Sequence, residues 1–185
     1  MAELTLENIK KECASCAKCP LAKTRTNLVF GVGNPQAKLM FIGEAPGEQE
    51  DLQGEPFVGA AGKLFNKYLA AVGIAREEVY IANILKCRPP KNRDPLPEEQ
   101  DACIGHLRAQ VKAIRPKMIV CLGRISAMRL IKPDFKITRE HGQFVRKGSF
   151  DICAVYHPSA LLRDAAKKDE MLADMIMIKQ KYDAL

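Results

Sequence analysis

The sequence predicts an α/β fold of three layers, α/β/α, with a central, mainly parallel four-stranded sheet between two layers of helices. Short apolar runs recur along the chain, as the buried strands of a parallel sheet do. Stretches with apolar residues at helical spacing separate these runs. The chain has 185 residues and is 47% hydrophobic, enough for a core of its own. We therefore expect one domain over residues 1–185.

Four apolar runs are the expected strands: residues 37–43, 78–85, 116–123 and 151–158. The first ends in Gly43, the second contains Asn83, and the fourth runs into His157. In sheets of this kind, ligands bind at the carboxyl ends of the strands. That edge of the sheet is therefore the expected place of the functional site.

The segments between and around the strands are the expected helices: residues 4–18, 59–73, a helix opening within 94–114, and residues 124–131 and 164–183. The segment 59–73 has apolar residues at helical spacing and a glycine at both ends. Residues 88–97, RPPKNRDPLP, contain four prolines and are predicted to form a loop. Residues 135–150 alternate in polarity between glycines, which predicts a hairpin or an excursion at the sheet edge.

The charge of the chain predicts an anionic partner. There are 29 Lys and Arg against 22 Asp and Glu, a net charge of +7, and the bases concentrate in residues 8–25, 86–93 and 106–117. Nucleic acid is the commonest large polyanion that such patches bind. No apolar run approaches the roughly 20 residues of a membrane span, and no membrane partner is expected. The first residues, MAELTLENIKKEC, lack the apolar region of a signal peptide, so we expect a cytoplasmic protein.

The seven cysteines fall into two classes. Cys121 and Cys153 lie inside apolar strands and are expected in the core. The other five lie in polar surroundings, three of them within CASCAKC: Cys13, Cys16, Cys19, Cys87 and Cys103. Four thiolates from separated segments would close a tetrahedral site, which zinc and iron–sulfur clusters both accept. The spacing distinguishes neither the metal nor the surplus cysteine, and the alternative is scattered structural cysteines.

Three motifs, in this order, resemble the family 4 uracil-DNA glycosylases, the iron–sulfur branch of that superfamily. They are GEAPGEQEDLQGEPFVGAAGKLF, NILKCRPPKNRDPLPEEQDAC and HPSALLR, and the likeness runs from about Cys16 to about Arg163. The resemblance implies an α/β/α fold and an enzyme that flips uracil out of DNA and hydrolyses its N-glycosidic bond, leaving an abasic site. It implies uracil-containing DNA as partner, and we expect a monomer.

The resemblance also implies a [4Fe-4S] cluster. It aligns Cys16, Cys19, Cys87 and Cys103 with the cluster ligands, because the family's C-x2-C runs straight into a segment like KTRTN at 23–27. Cys13 is then the spare cysteine. The implied role of the cluster is structural, since it ties the N-terminal segment to the loop and helix at 87–103.

Three side chains match residues that the family uses on the base. Phe57, in EPFVG, is similar to the residue that stacks on the flipped uracil. Asn83 matches the base-reading residue, and an amide both donates and accepts, which separates uracil from cytosine. His157, in HPSALLR, matches the histidine that stabilises the negative charge developing on the leaving base.

The acidic loop after the first strand has a partial counterpart in the family. Glu44 matches the motif glutamate, which positions water or supports the cationic sugar, and the backbone N–H groups of Gly43, Glu44 and Ala45 are expected to border the base. Other branches carry Asp or Asn where this chain has Ala45, so direct general-base catalysis from that position is excluded. Asn92 matches a position that supports the site. The remaining acids are expected to shape and solvate the loop: Glu48, Glu50 and Asp51.

The segment after His157 is the expected DNA contact. Leu161 or Leu162 would enter the minor groove and fill the gap left by the flipped base, and Arg163 would meet a phosphate. The alternative is that one leucine packs in the core, and the sequence favours neither leucine. His106 and His141 are interpreted as a helix-surface residue and a hairpin residue without ligand roles.

Two other functions compete with uracil excision. One is a non-catalytic iron–sulfur DNA-binding module, which would have no need of an amide and an imidazole at neighbouring strand ends. The other is a ferredoxin-like electron carrier, whose cysteines would be bunched in one short run. Retention of Glu44, Phe57, Asn83 and His157 together favours the enzyme.

Overall fold

The structure, a computed structural model, describes residues 4–185. The strands are β1 (Val32–Gly33), β2 (Leu39–Gly43), β3 (Tyr80–Asn83), β4 (Met118–Leu122), β5 (Val145–Lys147) and β6 (Phe150–Val155). The α-helices are α1 (Leu6–Ala14), α2 (Leu21–Thr24), α3 (Glu48–Gln53), α4 (Ala60–Ala71), α5 (Pro97–Ile114), α6 (Arg124–Leu130), α7 (Ile137–Glu140), α8 (Pro158–Arg163) and α9 (Lys168–Asp183).

The sheet is mainly parallel, as predicted, but the expected count of four strands is wrong. The order is β1-β3-β2-β4-β6-β5, and the four central strands β3, β2, β4 and β6 are mutually parallel. The strands β1 and β5 add antiparallel edges of two and three residues. Neither edge strand is buried, so neither leaves the apolar run by which the central strands are predicted from sequence.

Helices cover both faces of the sheet, which confirms the three layers. Side chains alternate along each strand. Met40 and Ile42 of β2 face a core that α5 and α6 complete, whereas Leu39 and Phe41 face a core completed by α4 and α9. The helix α1 packs on α5 through Ile9 and other apolar residues. This contact brings the N-terminal cysteines alongside α5.

The predicted helices all exist, with shorter bounds, and the predicted edge segment is mixed. Residues 135–150 form the short helix α7 and then β5, which turns back on β6 as a hairpin. The pattern did not predict α3 and α8, because both are six-residue helices in segments dominated by site motifs. Among residues 4–185, no helix has the length and apolar composition needed to cross a membrane.

Candidate active site and cysteine cavity

The carboxyl ends of the parallel strands open into a cleft of about 770 Å³. Gly43 at the end of β2 pairs in register with Asn83 at the end of β3. On the other side, the N–H of Gly123 after β4 donates to the carbonyl of Val155, the last residue of β6. His157 follows two residues later and lines the cleft with Asn83. The strand ends marked in the sequence therefore meet at one place.

Asn83 presents an unpaired amide to the cleft. It is 2% exposed, and its Oδ1 is buried without a hydrogen-bond partner among the described residues. A buried amide oxygen without a partner costs free energy, so its persistence points to a ligand. Gly43 leaves the space in front of it open: a Cβ at that position would collide with Asn83 Oδ1 and lie 2.6 Å from Phe57 Cζ.

Phe57 forms the apolar wall of the pocket in a strained conformation. Its φ is +55°, a region that non-glycine residues seldom occupy. Its ring lies 5.5 Å from that of Phe65 and 5.7 Å from that of His157, between centroids. Gly62 of α4 packs against its backbone so closely that a Cβ would collide with it. The surrounding structure thus fixes the ring beside the imidazole.

Glu50 shapes the loop after β2 through hydrogen bonds, as expected, whereas the expectation that Asp51 is solvated is wrong. Glu50 Oε1 accepts hydrogen bonds from the N–H groups of Val58 (3.0 Å) and Gly59 (2.9 Å), directly after Phe57. Asp51 is 4% exposed, and its Oδ1 accepts from the N–H of Thr26 (2.9 Å). Hydrogen bonds from a side chain to the backbone of another segment are not visible in composition. Glu48, by contrast, is exposed as expected.

His157 is held as one neutral tautomer. Its Nδ1 accepts from the N–H of Ser159 at 3.1 Å and lies 2.7 Å from Ser159 Oγ, because His157 caps the N-terminus of α8. A backbone N–H can only donate, so the proton of the neutral ring sits on Nε2. Burial lowers the pKa of His157 to about 4, the charge of Arg163 adds to the lowering, and Glu50 opposes it. The ring is therefore a neutral N–H donor at physiological pH.

Glu44 is a half-buried carboxyl at the mouth of the cleft. Burial raises the pKa of Glu44 to about 7; Asp94 adds to the rise and Arg124 opposes it. Asp94 and Arg124 form an ion pair of 3.2 Å beside it. Ala45 lines the same wall, and Asn92, exposed on the facing loop with φ +55°, accepts from Arg88 Nε at 2.7 Å. Glu44 thus changes protonation state near neutrality.

The two leucines of SALLR differ in environment. Leu161 is 1% exposed and packs in the core between the sheet and α4, so it is not available to DNA. Leu162 is 53% exposed and lines the cleft, as does the exposed Arg163. Position on the short helix α8 separates neighbours that the sequence could not distinguish.

A second, smaller cavity collects the cysteines of the polar class. Its lining includes Cys13, Cys16, Cys19, Cys87 and Cys103. They come from α1 and the segment after it, from the loop after β3, and from α5. All four predicted ligands are thus brought together, and so is the predicted spare. Cys121 and Cys153 are fully buried in β4 and β6, which confirms them as core residues.

Three cationic or polar side chains at this cavity were not predicted from the sequence. Arg25 Nη1 donates to Cys87 Sγ at 3.3 Å. Lys86, only 1% exposed, gives its backbone N–H to Cys103 Sγ at 3.4 Å. His106 is 4% exposed rather than on the helix surface as expected, and its Nε2 is buried without a partner within residues 4–185. Its place three residues after Cys103, on the same face of α5, was the available signal.

The fit of these residues to a metal group follows from their chemistry. Within residues 4–185, no three His, Cys, Asp or Glu side chains are arranged as ligands of a single ion. A four-iron cluster is wider than one ion and takes four thiolates, with N–H donors directed at its sulfurs. The cavity offers the cysteine thiols and N–H donors that such a cluster needs. A proton on Nε2 of His106, which has no partner within residues 4–185, could be donated in a hydrogen bond to a cluster sulfur. The residues fit a cluster.

Comparison with known proteins points to one family. The family model for the uracil DNA glycosylase superfamily matches residues 30–177. The type-4 uracil-DNA glycosylase of Archaeoglobus fulgidus is 49% identical over 178 residues, covering 92% of this chain and 89% of the relative. That of Thermotoga maritima is 43% identical, with 91% and 86% covered. A type-5 uracil-DNA glycosylase of Pyrobaculum aerophilum is 33% identical, with 70% and 64% covered.

Proposed function

Because the chain belongs to the uracil-DNA glycosylase superfamily, in its type-4 branch, we propose that the cleft described above is the pocket from which it excises uracil. The chain is a DNA-repair glycosylase, and the non-catalytic binding module is not favoured. The observation that carries the assignment of the pocket is the amide oxygen of Asn83, which has no partner within residues 4–185 and shares the cleft with Phe57 and His157.

The pocket reads a base that has left the duplex. A flipped uracil stacks on Phe57, which is fixed by Gly62 and by the bonds of Glu50 to the following N–H groups. The amide of Asn83 then meets an edge with both a donor and an acceptor. Cytosine presents the reverse pattern and leaves the buried amide mismatched, which such sites reject strongly.

His157 acts on the leaving group. Cleavage of the N-glycosidic bond moves negative charge onto the base and positive charge onto the sugar. The Nε2–H of the neutral imidazole donates to the developing anion, and its tautomer is set before the substrate arrives. Preorganised donors of this kind contribute strongly to catalysis because they need no reorganisation during the reaction.

Glu44 directly follows the last residue of β2 and lines the cleft. Ala45 has no group to activate water, so the role passes to Glu44: it orients the attacking water and stabilises the cationic sugar. Both functions require the deprotonated form of Glu44. Because the pKa of Glu44 is raised to about 7, both should become stronger as the pH rises through neutrality. Asn92 supports the facing wall of the cleft through its bond to Arg88.

The assignment is tested with a labelled oligonucleotide that contains one uracil, cleaved by alkali after incubation at pH 5.5 to 9. We expect strand scission at uracil and none at thymine or cytosine. Single-turnover rates should rise with a midpoint near pH 7, because ionised Glu44 is required. Glu44→Gln should match the wild type at low pH and fall about 100-fold below it above pH 8.

Glu48→Gln is the matched control, since Glu48 is an exposed acid of the same loop. It should keep the midpoint of the wild type. A Glu44→Gln profile that still rises near pH 7 would remove Glu44 from the mechanism, and absence of scission at uracil would remove the pocket assignment.

We expect Leu162 to fill the gap in the duplex and Leu161 to support the core. Leu162→Ala should slow excision from double-stranded DNA about tenfold and leave excision from single strands and the melting temperature unchanged. Leu161→Ala should lower the free energy of unfolding by about 2–5 kcal/mol. Leu172→Ala, on the exposed face of α9, is the control for loss of an exposed leucine. Equal slowing on single and double strands would contradict the wedge.

We propose that Cys16, Cys19, Cys87 and Cys103 hold a [4Fe-4S] cluster in the second cavity. The N–H donors of Arg25, Lys86 and His106 support an anionic sulfur-rich group there. The cluster supplies cross-links between the N-terminal segment, the loop after β3 and α5. Cys13 lies in the same wall as a non-ligand thiol, packed beside Ile9 and Phe30.

A further inference from the structure

Lys86 is a buried cation between the base pocket and the cysteine cavity. It lies three residues beyond the end of β3 and immediately before Cys87. Its Nζ donates to the backbone oxygen of Asn83 at 2.8 Å and to Gln110 Oε1 at 2.6 Å. Both acceptors are neutral, and no ion pair formed within residues 4–185 includes Lys86. A buried ammonium without a counter-charge is strongly unfavourable.

The neutral partners of Lys86 are themselves fixed. Gln110 is fully buried, and its Nε2 donates to the backbone oxygen of Phe30 (2.9 Å) and lies 3.2 Å from Tyr80 Oη. The ring of Phe30 lies 5.9 Å from Lys86 Nζ and adds a weak cation–π contact. This cage sets the direction of the ammonium but brings no negative charge.

The ionisable groups that act on Lys86 lie on the cavity side, at Cys103 and Cys13. Lys86 lines the cavity together with the cysteines, and its own N–H donates to Cys103 Sγ. A [4Fe-4S] core bound by four thiolates carries a net negative charge. A cluster in the cysteine cavity would therefore supply the negative charge that the ammonium of Lys86 lacks.

We propose that Lys86 is a positioning residue that couples the two sites: the cluster is its counter-charge, and its ammonium holds the end of β3 so that Asn83 meets the base. The inference rests on the proposed cluster. It gives the cluster a second role besides cross-linking, since removal of its charge leaves the ammonium uncompensated directly behind the base-reading residue. The coupling runs through one side chain and two hydrogen bonds.

Gln110→Glu is the sharpest test because it offers Lys86 a competing carboxylate at the place of Oε1, with almost no change in size. Its second oxygen replaces Nε2 and loses the bond to the Phe30 carbonyl, so Gln110→Met, which loses the same bond without adding charge, is the matched control. The full-length protein, purified with its cluster, is exposed to an iron chelator, and the visible iron–sulfur absorption is followed. We expect Gln110→Glu to lose the cluster about tenfold faster than Gln110→Met, because only the carboxylate competes with the cluster for the charge of Lys86.

Lys86→Met tests the same coupling from the other side. It keeps an apolar stem and removes the charge, so the cluster should again be lost about tenfold faster. The kcat for uracil excision should fall with little change in KM for DNA, because Asn83 loses its support. Lys67→Met, an exposed residue of α4 on the opposite face of the sheet, makes the same charge change and should retain the wild-type rate of cluster loss.

The coupling through Lys86, the presence of the cluster and the excision of uracil are tested by different results. If Lys86 is only a structural hydrogen-bond donor, Gln110→Glu strengthens its bond and the cluster is lost no faster than from Gln110→Met, which overturns the coupling. Wild-type protein without iron and without the visible absorption overturns both the cluster and the coupling. Uracil excision is scored separately on the oligonucleotide. Should Lys86→Met fail to fold, Gln110→Glu alone still decides.

Discussion

Asn83→Leu should abolish uracil excision and make the protein more stable. The amide oxygen of Asn83 is buried without a partner among residues 4–185, so an apolar side chain of similar size removes a cost from the free protein. A gain of about 1 kcal/mol would raise the melting temperature by about 2–4 °C in a chain of this size. The same change deprives the base edge of its reader, which in such sites costs roughly 10⁴-fold in kcat/KM.

The measurement pairs thermal unfolding with single-turnover excision on one preparation of each variant. Asn66→Leu is the matched control, because Asn66 is exposed on α4 outside the cleft and its Oδ1, unlike that of Asn83, accepts a hydrogen bond from Arg76 Nη1 at 2.9 Å. It should neither raise the melting temperature nor lower the rate. A loss of activity accompanied by a lower melting temperature would mean that Asn83 is a structural residue and that its amide is satisfied in solution.

The central parallel strands could be predicted from sequence because a strand that is buried on both faces needs an unbroken run of apolar residues. Val120 and its neighbours in β4 are fully buried, and that run alone predicts the strand. The edge strand β5 is exposed along its whole length, and its pairing depends on a backbone neighbour rather than on its own side chains. Sequence patterning reports burial, so it does not report such edges.

The site residues likewise fall into a group that could be predicted from sequence and a group that could not. Gly43, Asn83 and His157 were predicted together because parallel strands end at one edge, and motif resemblance supplied their roles. Hydrogen bonds between separate segments could not be predicted, because no residue pattern within one segment indicates them. Glu50 reaches the N–H groups of Val58 and Gly59, and those bonds form only after α3 and the following loop have folded.

Sequence reasoning also missed the burial of several polar and charged residues. The sequence places Lys86, His106 and Asp51 in polar or mixed surroundings, where exposure is the ordinary expectation. All three are buried, and each is fixed by a partner far along the chain or faces the cysteine cavity. Lys86 and His106 are buried at the cysteine cavity, and Asp51 is buried where it binds the backbone N–H of Thr26. Hydrophobic patterning encodes neither kind of contact.

His157→Ala should lower kcat by about 10²–10³-fold while the affinity for uracil-containing DNA stays within a few-fold of the wild type. The loss follows from removing one preorganised donor to the developing anion. Ser159→Ala should change kcat only a few-fold, because the backbone N–H of residue 159 still donates to Nδ1 and still fixes the proton on Nε2. The two variants thus separate the donor from its support.

The pH dependence gives an independent check on the charge of His157. With its pKa lowered to about 4, the ring is neutral throughout the assay range, so the rate should show no transition from this residue above about pH 5. In Glu44→Gln, where the transition near pH 7 is removed, the profile should therefore be flat from pH 5.5 to 9. A transition near pH 6.5 in that variant, lost on His157→Ala, would show that the imidazole works as a cation instead. The leaving base would then be stabilised by a full positive charge rather than by a neutral N–H group, and the tautomer held by Ser159 would not matter.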